Sequence, residues 1–274
     1  MLNLISTPIG NLNDISLRAI EALKSADYIF AEDTRNAKKL LNFIDCQSQC
    51  SSFHEHNENK ITNLIIKKLI EDPSLDIAII SDAGTPAISD PGYHLIQECI
   101  KHKINFSHIP GPSSVINAVV LSGLPTSSFI FLGFVPKKKN QKVEFLRSLK
   151  KYSETIILFE SGKRLPETIQ YLFEEYSQHN KISLCREMTK IHETIERGTI
   201  ASVIERIAND ELILKGEFVI VIEGSSNEFK NTKLDKKIQK AFLENLPLKD
   251  AAKLISMITK ENKRDVYKQL LELD

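Results

Sequence analysis

The sequence predicts an α/β protein: two α/β domains followed by a small helical appendage. Three observations carry that expectation. Short apolar runs that fit buried strands alternate with amphipathic helical patterns through most of the chain. Clusters of glycine, proline and acidic residues sit at the carboxyl ends of those runs, where open α/β sheets put their ligands. Beyond Gly224 the composition turns to Ser225-Ser226-Asn227 and then lysines, a linker, before amphipathic helices at Leu248–Ile258 and Val266–Leu273. The expected division is 1–111, 112–225 and 226–274.

Asn3–Ser6 reads as the first strand and runs into Thr7-Pro8-Ile9-Gly10-Asn11. Asp14 is placed to cap a helix whose inward face carries Ile15, Ala19, Ala22 and Leu23. Tyr28–Ala31 is the next strand, and Glu32-Asp33-Thr34-Arg35 lies at its carboxyl end before a helix with Leu40, Leu41 and Ile44. Those four residues suit a site, and equally a capped helix start with Arg35 paired locally. After Phe53, His54-Glu55-His56-Asn57 reads as a surface loop, although a histidine there can serve proton transfer near neutral pH. Ile61–Ile70 is helical and leads to the strand Asp76–Ile80.

That strand opens into Ser81-Asp82-Ala83-Gly84-Thr85-Pro86-Ala87-Ile88-Ser89-Asp90-Pro91-Gly92, ahead of a helix over Tyr93–Ile100. Gly84 has no Cβ, the two prolines fix the turn, and the aspartates can accept hydrogen bonds from hydroxyl or amino groups. A tight structural turn with capping aspartates would look the same locally. Ile104–Ile109 is a further strand, and Pro110-Gly111-Pro112-Ser113-Ser114 turns it into the helix Val115–Leu121. The free N–H groups of that first turn can meet a carboxylate with help from Ser113 or Ser114; as an alternative, Ser113 is only the cap.

The second half repeats the alternation. Strands are expected at Ser128–Leu132, Thr155–Phe159, Ile182–Cys185 and Phe218–Ile222, and helices at Val143–Leu149, Leu165–Tyr176 and Ile200–Ala208. Polar clusters again follow strands: Glu160-Ser161-Gly162-Lys163-Arg164, Arg186-Glu187-Met188-Thr189-Lys190 with His192-Glu193, and Lys215-Gly216-Glu217.

Lys+Arg and Asp+Glu are equal at 36 each, so the chain is not a globally basic nucleic-acid binder and any RNA contact must be local. The basic candidates are Lys137-Lys138-Lys139 with Lys142, and the lysine-rich segment Lys230–Lys240; a solvated face is the commoner meaning of such runs. No apolar stretch reaches the roughly 18 residues of a membrane span, and four cysteines do not make a disulfide framework, so a cytoplasmic protein is expected. Cys46, Cys50, His54 and His56 lie close together but match no common zinc spacing, and no metal is expected. Neither a G-x-G-x-x-G after the first strand nor a phosphate-binding P-loop pattern occurs.

Taken together and in order, Ser6-Thr7-Pro8-Ile9-Gly10-Asn11-Leu12, Glu32-Asp33-Thr34-Arg35, His54-Glu55-His56-Asn57, Ser81–Tyr93, Ile109–Ser114 and Gly123-Leu124-Pro125-Thr126 resemble one family over roughly the whole chain. It is the family of 16S ribosomal RNA cytidine 2′-O-methyltransferases of the small subunit, a branch of the tetrapyrrole-methylase superfamily. The resemblance implies two α/β domains with S-adenosylmethionine bound in the cleft between them, and a helix-turn-helix-like tail. Carried onto this sequence, it implies cofactor contacts from Asp82, Gly84, Thr85, Ile88, Ser113, Ser114, Met188, Gly216 and Glu217. Asp33, Arg35, His54, Glu55 and Glu160 are the catalytic candidates, and Arg35, Lys137, Lys138, Lys139 and Arg164 the RNA contacts.

Gly162 and Lys163 stand where that family carries a proline and a histidine, so no catalytic histidine is implied there. The implied substrate is a decoding-centre cytidine in the small ribosomal subunit, and the implied assembly a homodimer. Methylation of a tetrapyrrole on the same fold, and a non-catalytic RNA-binding or ribosome-assembly role, are the alternatives.

Overall fold

Ile77, Ala78, Ile79 and Ile80 are each at most 2% exposed, which marks a strand covered on both faces. In the computed structural model, which describes residues 1–225, 234–259 and 261–271, this strand is the centre of a five-stranded sheet. The elements of the first half are β1 (Leu2–Ile5), α1 (Leu17–Ser25), β2 (Tyr28–Ala31), α2 (Thr34–Phe43), β3 (Cys50–Ser52), α3 (Glu58–Glu71), β4 (Ile77–Ile80), α4 (Tyr93–Lys101), β5 (Phe106–Ile109) and α5 (Ser114–Ser122).

The strand order is β3-β2-β4-β1-β5 and every pairing is parallel, so all five carboxyl ends open on one edge. Side chains alternate across the pleat. Ala78 and Ile80 pack with Ala19, Leu23, Ala37 and Leu40 of α1 and α2. Ile77 and Ile79 face Ile65, Leu69, Leu95 and Cys99 of α3 and α4.

The second half contains β6 (Phe129–Phe134), α6 (Lys139–Ser148), β7 (Thr155–Ser161), α7 (Leu165–Glu175), β8 (Lys181–Arg186), β9 (Thr194–Thr199), α8 (Ile200–Ala208) and β10 (Glu217–Ile222). Its sheet runs β6-β7-β10-β8-β9, with β6 parallel to β7 and the other pairs antiparallel. One face packs on α6, α7 and α8 through Leu146, Ile169, Leu172 and Val203. The other packs on α5: Val115, Ala118 and Val119 lie against Ile157, Cys185, Val219 and Val221. The register of β6 slips between Phe131 and Phe134, where Gly133 has φ +72°.

Contacts divide the chain into Met1–Gly224 and Ser225–Asp274. The second unit carries α9 (Lys236–Asn245), α10 (Leu248–Thr259) and α11 (Lys263–Leu271) around a core of Ala251, Ala252, Ile255, Val266 and Leu270. The sequence predicted two helices there. The third, α9, occupies the second part of the segment read as lysine-rich; Lys230 and Lys233 lie outside the described residues, as do Ser226 and Asn227 of the expected linker.

Further differences have local causes. A 3₁₀ turn over Leu12–Asp14, capped by the Asn11 side chain, separates Asp14 from α1, and Ser16 is the cap, its Oγ accepting from Ala19 N–H at 3.2 Å. Helix α6 starts at Lys139, and Lys142 is not in the basic patch: it is 1% exposed and its Nζ donates to Glu167 Oε2 at 2.5 Å.

Candidate active site

The edge where the parallel strands end is stitched by short-range contacts. Thr7 and Gly84 form an antiparallel bridge, N–H to O at 2.9 and 3.0 Å, which ties the end of β1 to the loop after β4. Gly84 has φ +83°, which a residue with a Cβ rarely adopts. Ser6 Oγ lies 3.1 Å from Thr85 Oγ1 and 3.0 Å from His108 Nε2. Asp82 reaches the start of α2: its Oδ1 accepts from Asp33 N–H at 2.9 Å and its Oδ2 from Asn36 Nδ2 at 3.1 Å. At the start of α5, Ser113 Oγ caps Ile116 N–H at 3.5 Å.

The second half contributes the ends of β7, β8 and β10. Glu187 Oε1 accepts from Glu217 N–H at 2.8 Å, and Lys190 Nζ bridges Glu187 Oε2 at 3.1 Å and Glu217 Oε2 at 3.0 Å. Burial works to raise the Glu187 carboxyl, but the Glu217 amide and the Lys190 ammonium outweigh it and hold it below the usual range. Gly216, at φ +101°, lies so close to Glu187 that a Cβ would stand 2.5 Å from Oε1. Phe159 packs edge-on against Phe131 and Phe134, with centroids 4.7 and 5.2 Å away. Asn11 N–H donates to Thr189 Oγ1 at 3.0 Å, joining the β1 loop to the loop after β8.

Between these two edges lies a cavity of about 600 Å³. Asp82, Gly84, Thr85, Ile88, Ser113, Ser114, Met188 and Glu217 line it, so eight of the nine expected cofactor contacts are brought together; Gly216 stands behind the wall beside Glu187.

The expected catalytic set is dispersed. Glu160 lines the cavity, but its side chain is 0% exposed and both oxygens are engaged: Oε1 by Ser161 N–H at 2.8 Å, Oε2 by Thr168 Oγ1 at 2.7 Å and by Arg164 at 3.2 Å. Asp33 and Arg35 sit outside the lining, where Asp33 caps α2 and is paired with Arg35 at 2.6 Å. Hydrogen bonds from Arg35 hold the Asp33 carboxyl down at about 2. His54 and Glu55 are likewise outside the lining; His54 N–H donates to Asn57 Oδ1 at 2.8 Å and its buried Nδ1 has no partner among the described residues.

Among the expected RNA contacts, Lys137 and Lys138 precede α6 and are exposed, as is Lys139 at its start. Arg164 is only 24% exposed; besides Glu160 it donates to the Val135 and Pro136 carbonyls, which fixes the chain entering the lysine loop.

Several lining residues stand outside the expected site set: Glu32 and Asp90, read only as members of their strand-end clusters, Lys190, and the rings of Phe131, Phe134 and Phe159. The place of Glu32 directly after a four-residue strand and of Asp90 in the Asp82 loop was legible, but not that the fold brings both to the cavity wall. Burial, and then the neighbouring Asp82, raises the Glu32 carboxyl above its ordinary range. Burial and then Glu32 push Asp90 up from 3.8 to about 7.

The likeness to known proteins agrees with this geometry. The model of the tetrapyrrole (corrin/porphyrin) methylases matches residues 1–204, and that of the RsmI C-terminal HTH domain matches residues 236–274. A Vibrio cholerae protein named ribosomal RNA small subunit methyltransferase I is 38% identical over 99% of this chain and 94% of its own length. A Halalkalibacterium halodurans protein of the same name is 43% identical over 83% of this chain and 77% of its own length. Solved structures share the fold at lower identity. A diphthine synthase superposes with a TM-score of 0.63 at 14% identity, covering 83% of this chain and 91% of its own. A uroporphyrin-III-C-methyltransferase from Thermus thermophilus gives 0.58 at 17%, covering 82% and 94%. The paired sheets, the cavity at their strand ends and these matches together establish that the chain belongs to the tetrapyrrole (corrin/porphyrin) methylase family.

Proposed function

We propose that this protein methylates the 2′-hydroxyl of a decoding-centre cytidine in 16S ribosomal RNA, with S-adenosylmethionine as methyl donor. The observation that carries the reading is the full-length likeness to proteins named ribosomal RNA small subunit methyltransferase I, which spans the cavity segments and the helical tail alike.

The residues present fit a cationic donor. Asp82, Glu187 and Glu217 line the cavity, and among the described residues Lys190 is the one lining cation, an arrangement that favours a sulfonium and an ammonium. Ile9, Phe131, Phe159, Met188 and Val219 supply apolar wall for a planar base. The first turn of α5, with Ser113 and Ser114, offers N–H and hydroxyl donors for a carboxylate. When bound, S-adenosylmethionine supplies a methyl group on a positively charged sulfur, a leaving group that needs no further activation. The protein therefore has to align the acceptor oxygen behind that carbon, exclude water and receive one proton.

Arg35 and Lys137–Lys139, outside the cavity, meet the RNA backbone in this reading, and Arg164 holds the lysine loop in place for it. In this reading the boundary between the two α/β halves falls at residues 111 and 112, after the last strand of the first sheet. The working form is a homodimer in the cytoplasm; the exposed apolar side chains Val120 and Phe129, outside the cavity lining, support self-association, and sedimentation as a monomer at micromolar concentration would remove it.

The direct test is transfer of labelled methyl to small subunits lacking the modification, with naked RNA and a tetrapyrrole in parallel. A 2′-O-methylcytidine product on the subunit supports the reading. Label only on the tetrapyrrole moves the protein to small-molecule methylation, and label on nothing moves it to a non-catalytic RNA-binding role.

A further inference from the structure

The first sheet sorts the cavity lining by strand order. Glu32 follows β2, and the loop Ser81–Gly92 follows β4, its immediate neighbour. Ser113 and Ser114 follow β5, on the far side of β1. One side of the cavity is therefore acidic and the other carries hydroxyls and a helix start.

Most lining carboxylates are already committed. Asp82 holds the start of α2 through both oxygens, Glu160 is saturated by Ser161, Thr168 and Arg164, and Glu187 and Glu217 share Lys190. Glu32 lies beside the Asp82 backbone N–H. Asp90 lies beside the Ser81 hydroxyl, which donates to the Gly84 carbonyl at 3.4 Å.

Asp90 is also held firmly. Ala87 and Ser89 have φ of +67° and +63°, conformations that L residues keep only when their surroundings impose them. Gly92, at φ +133°, donates its N–H to Glu58 Oε1 at 2.9 Å, and a Cβ there would stand 3.3 Å from that of Ala87. A loop folded back on itself in this way fixes a half-buried carboxylate in the cavity wall, next to the exposed rim residues Ile88 and Ser89.

We propose that Asp90 is the proton acceptor of methyl transfer, with Glu32 as the neighbour that tunes its basicity. This rests on the methyl-transfer reading above. The acceptor O–H bond breaks toward an Asp90 oxygen as the new O–CH₃ bond forms; the C–S bond breaks with its electron pair going to sulfur, and the carboxylic acid then releases its proton at the rim.

The groups facing Asp90 are Glu32, just after β2, and Asp82 and Ser81 from its own loop. Glu55 and His54 from the loop after β3 act on Glu32 behind it, and Glu58 of α3 anchors Gly92. Acids outnumber bases around the site, so burial first, and then repulsion from neighbouring carboxylates, raises both Asp90 and Glu32 above their ordinary range.

The test is single-turnover transfer of labelled methyl to unmodified small subunits across pH 5.5–9, a range set to bracket a limb at about 7. Wild type should rise with pH and level off above that limb. Asp90→Asn should lose at least about a hundredfold in the transfer step and lose the limb, while calorimetric affinity for S-adenosylmethionine and binding of subunits stay within threefold. Glu32→Gln should move the limb to lower pH while keeping the plateau, which a purely structural role would not do.

A carbon-13 titration of the side-chain carboxyls in donor-free protein should place one aspartate near pH 7 that vanishes in Asp90→Asn. An unchanged profile and rate in Asp90→Asn would overturn the proposal, as would a fall in donor affinity that matches the fall in rate. Absence of label from wild type on any RNA would instead remove the methyl-transfer reading itself, and this proposal with it.

Discussion

Glu160→Ala tests whether the carboxylate at the end of β7 is a structural bolt. Its side chain is fully buried and takes hydrogen bonds from Ser161 N–H and Thr168 Oγ1 and a 3.2 Å ion pair from Arg164. Removing it strands a guanidinium that is only 24% exposed, whose remaining partners are the carbonyls of Val135 and Pro136. Breaking one side of a buried pair costs about 3 kcal/mol. For a unit of this size that is a fall of about 6–12 °C in Tm.

Calorimetric unfolding reads the shift, and a double-mutant cycle with Arg164→Met apportions it. The pair should be less damaged than the sum of the singles, because the second change removes the stranded charge. A Tm within 1 °C of wild type, or strict additivity, would refute the bolt. If instead the single variant keeps its Tm and its donor affinity yet loses all transfer, Glu160 is a chemical group after all.

Gly216→Ala should weaken S-adenosylmethionine at least about tenfold by calorimetry, since a Cβ 2.5 Å from Glu187 Oε1 must displace the carboxylate that orders Lys190 and Glu217. Asp82→Ala should abolish donor binding with the fold retained, and should also free the start of α2 at a cost of about 1–2 kcal/mol, measurable by urea unfolding. Arg35→Ala should leave donor affinity intact, reduce transfer at limiting RNA, and lower the salt slope of RNA binding by about 1. Asp90 is raised in the fold from 3.8 to about 7, so its protonation stabilises the fold below pH 4 and that contribution is lost as pH rises through 7. Asp90→Asn should consequently gain stability relative to wild type at pH 8 and little at pH 4, and the reverse order in thermal unfolding would contradict this assignment.

The sequence made the strands with continuous apolar runs legible, because burial on both faces leaves few alternatives for Ile77–Ile80 or Phe218–Ile222. It hid Cys50–Ser52, a three-residue edge strand without an apolar pattern, and Thr194–Thr199, whose Glu-Arg-Gly centre is polar on an outer strand. It hid α9 because five lysines over Lys230–Lys240 outweighed Phe242 and Leu243, the side chains that pack the helix.

At the site, the placement of residues set by one loop was readable: Gly84, Thr85 and Ser113 line the cavity. Residues whose availability depends on distant partners were not. Glu160 and Arg164 look like free functional groups until Thr168 and the Val135 carbonyl are seen around them. Asp90 looks like one turn residue among several until strand order brings Glu32 beside it.

The slipped register of β6 has a consequence for solubility. This strand is the outer rail of its sheet and carries Phe129 and Phe134, both exposed, one on each side of the slip at Gly133. A straight six-residue edge with aromatic side chains would be a template on which another unfolded chain extends the sheet. The slip leaves Phe129–Phe131 as the one regular run along it, too short a rail for such growth. The protein thus keeps Phe131 and Phe134 at the wall of its cavity on an edge strand whose regular run is cut short by the slip.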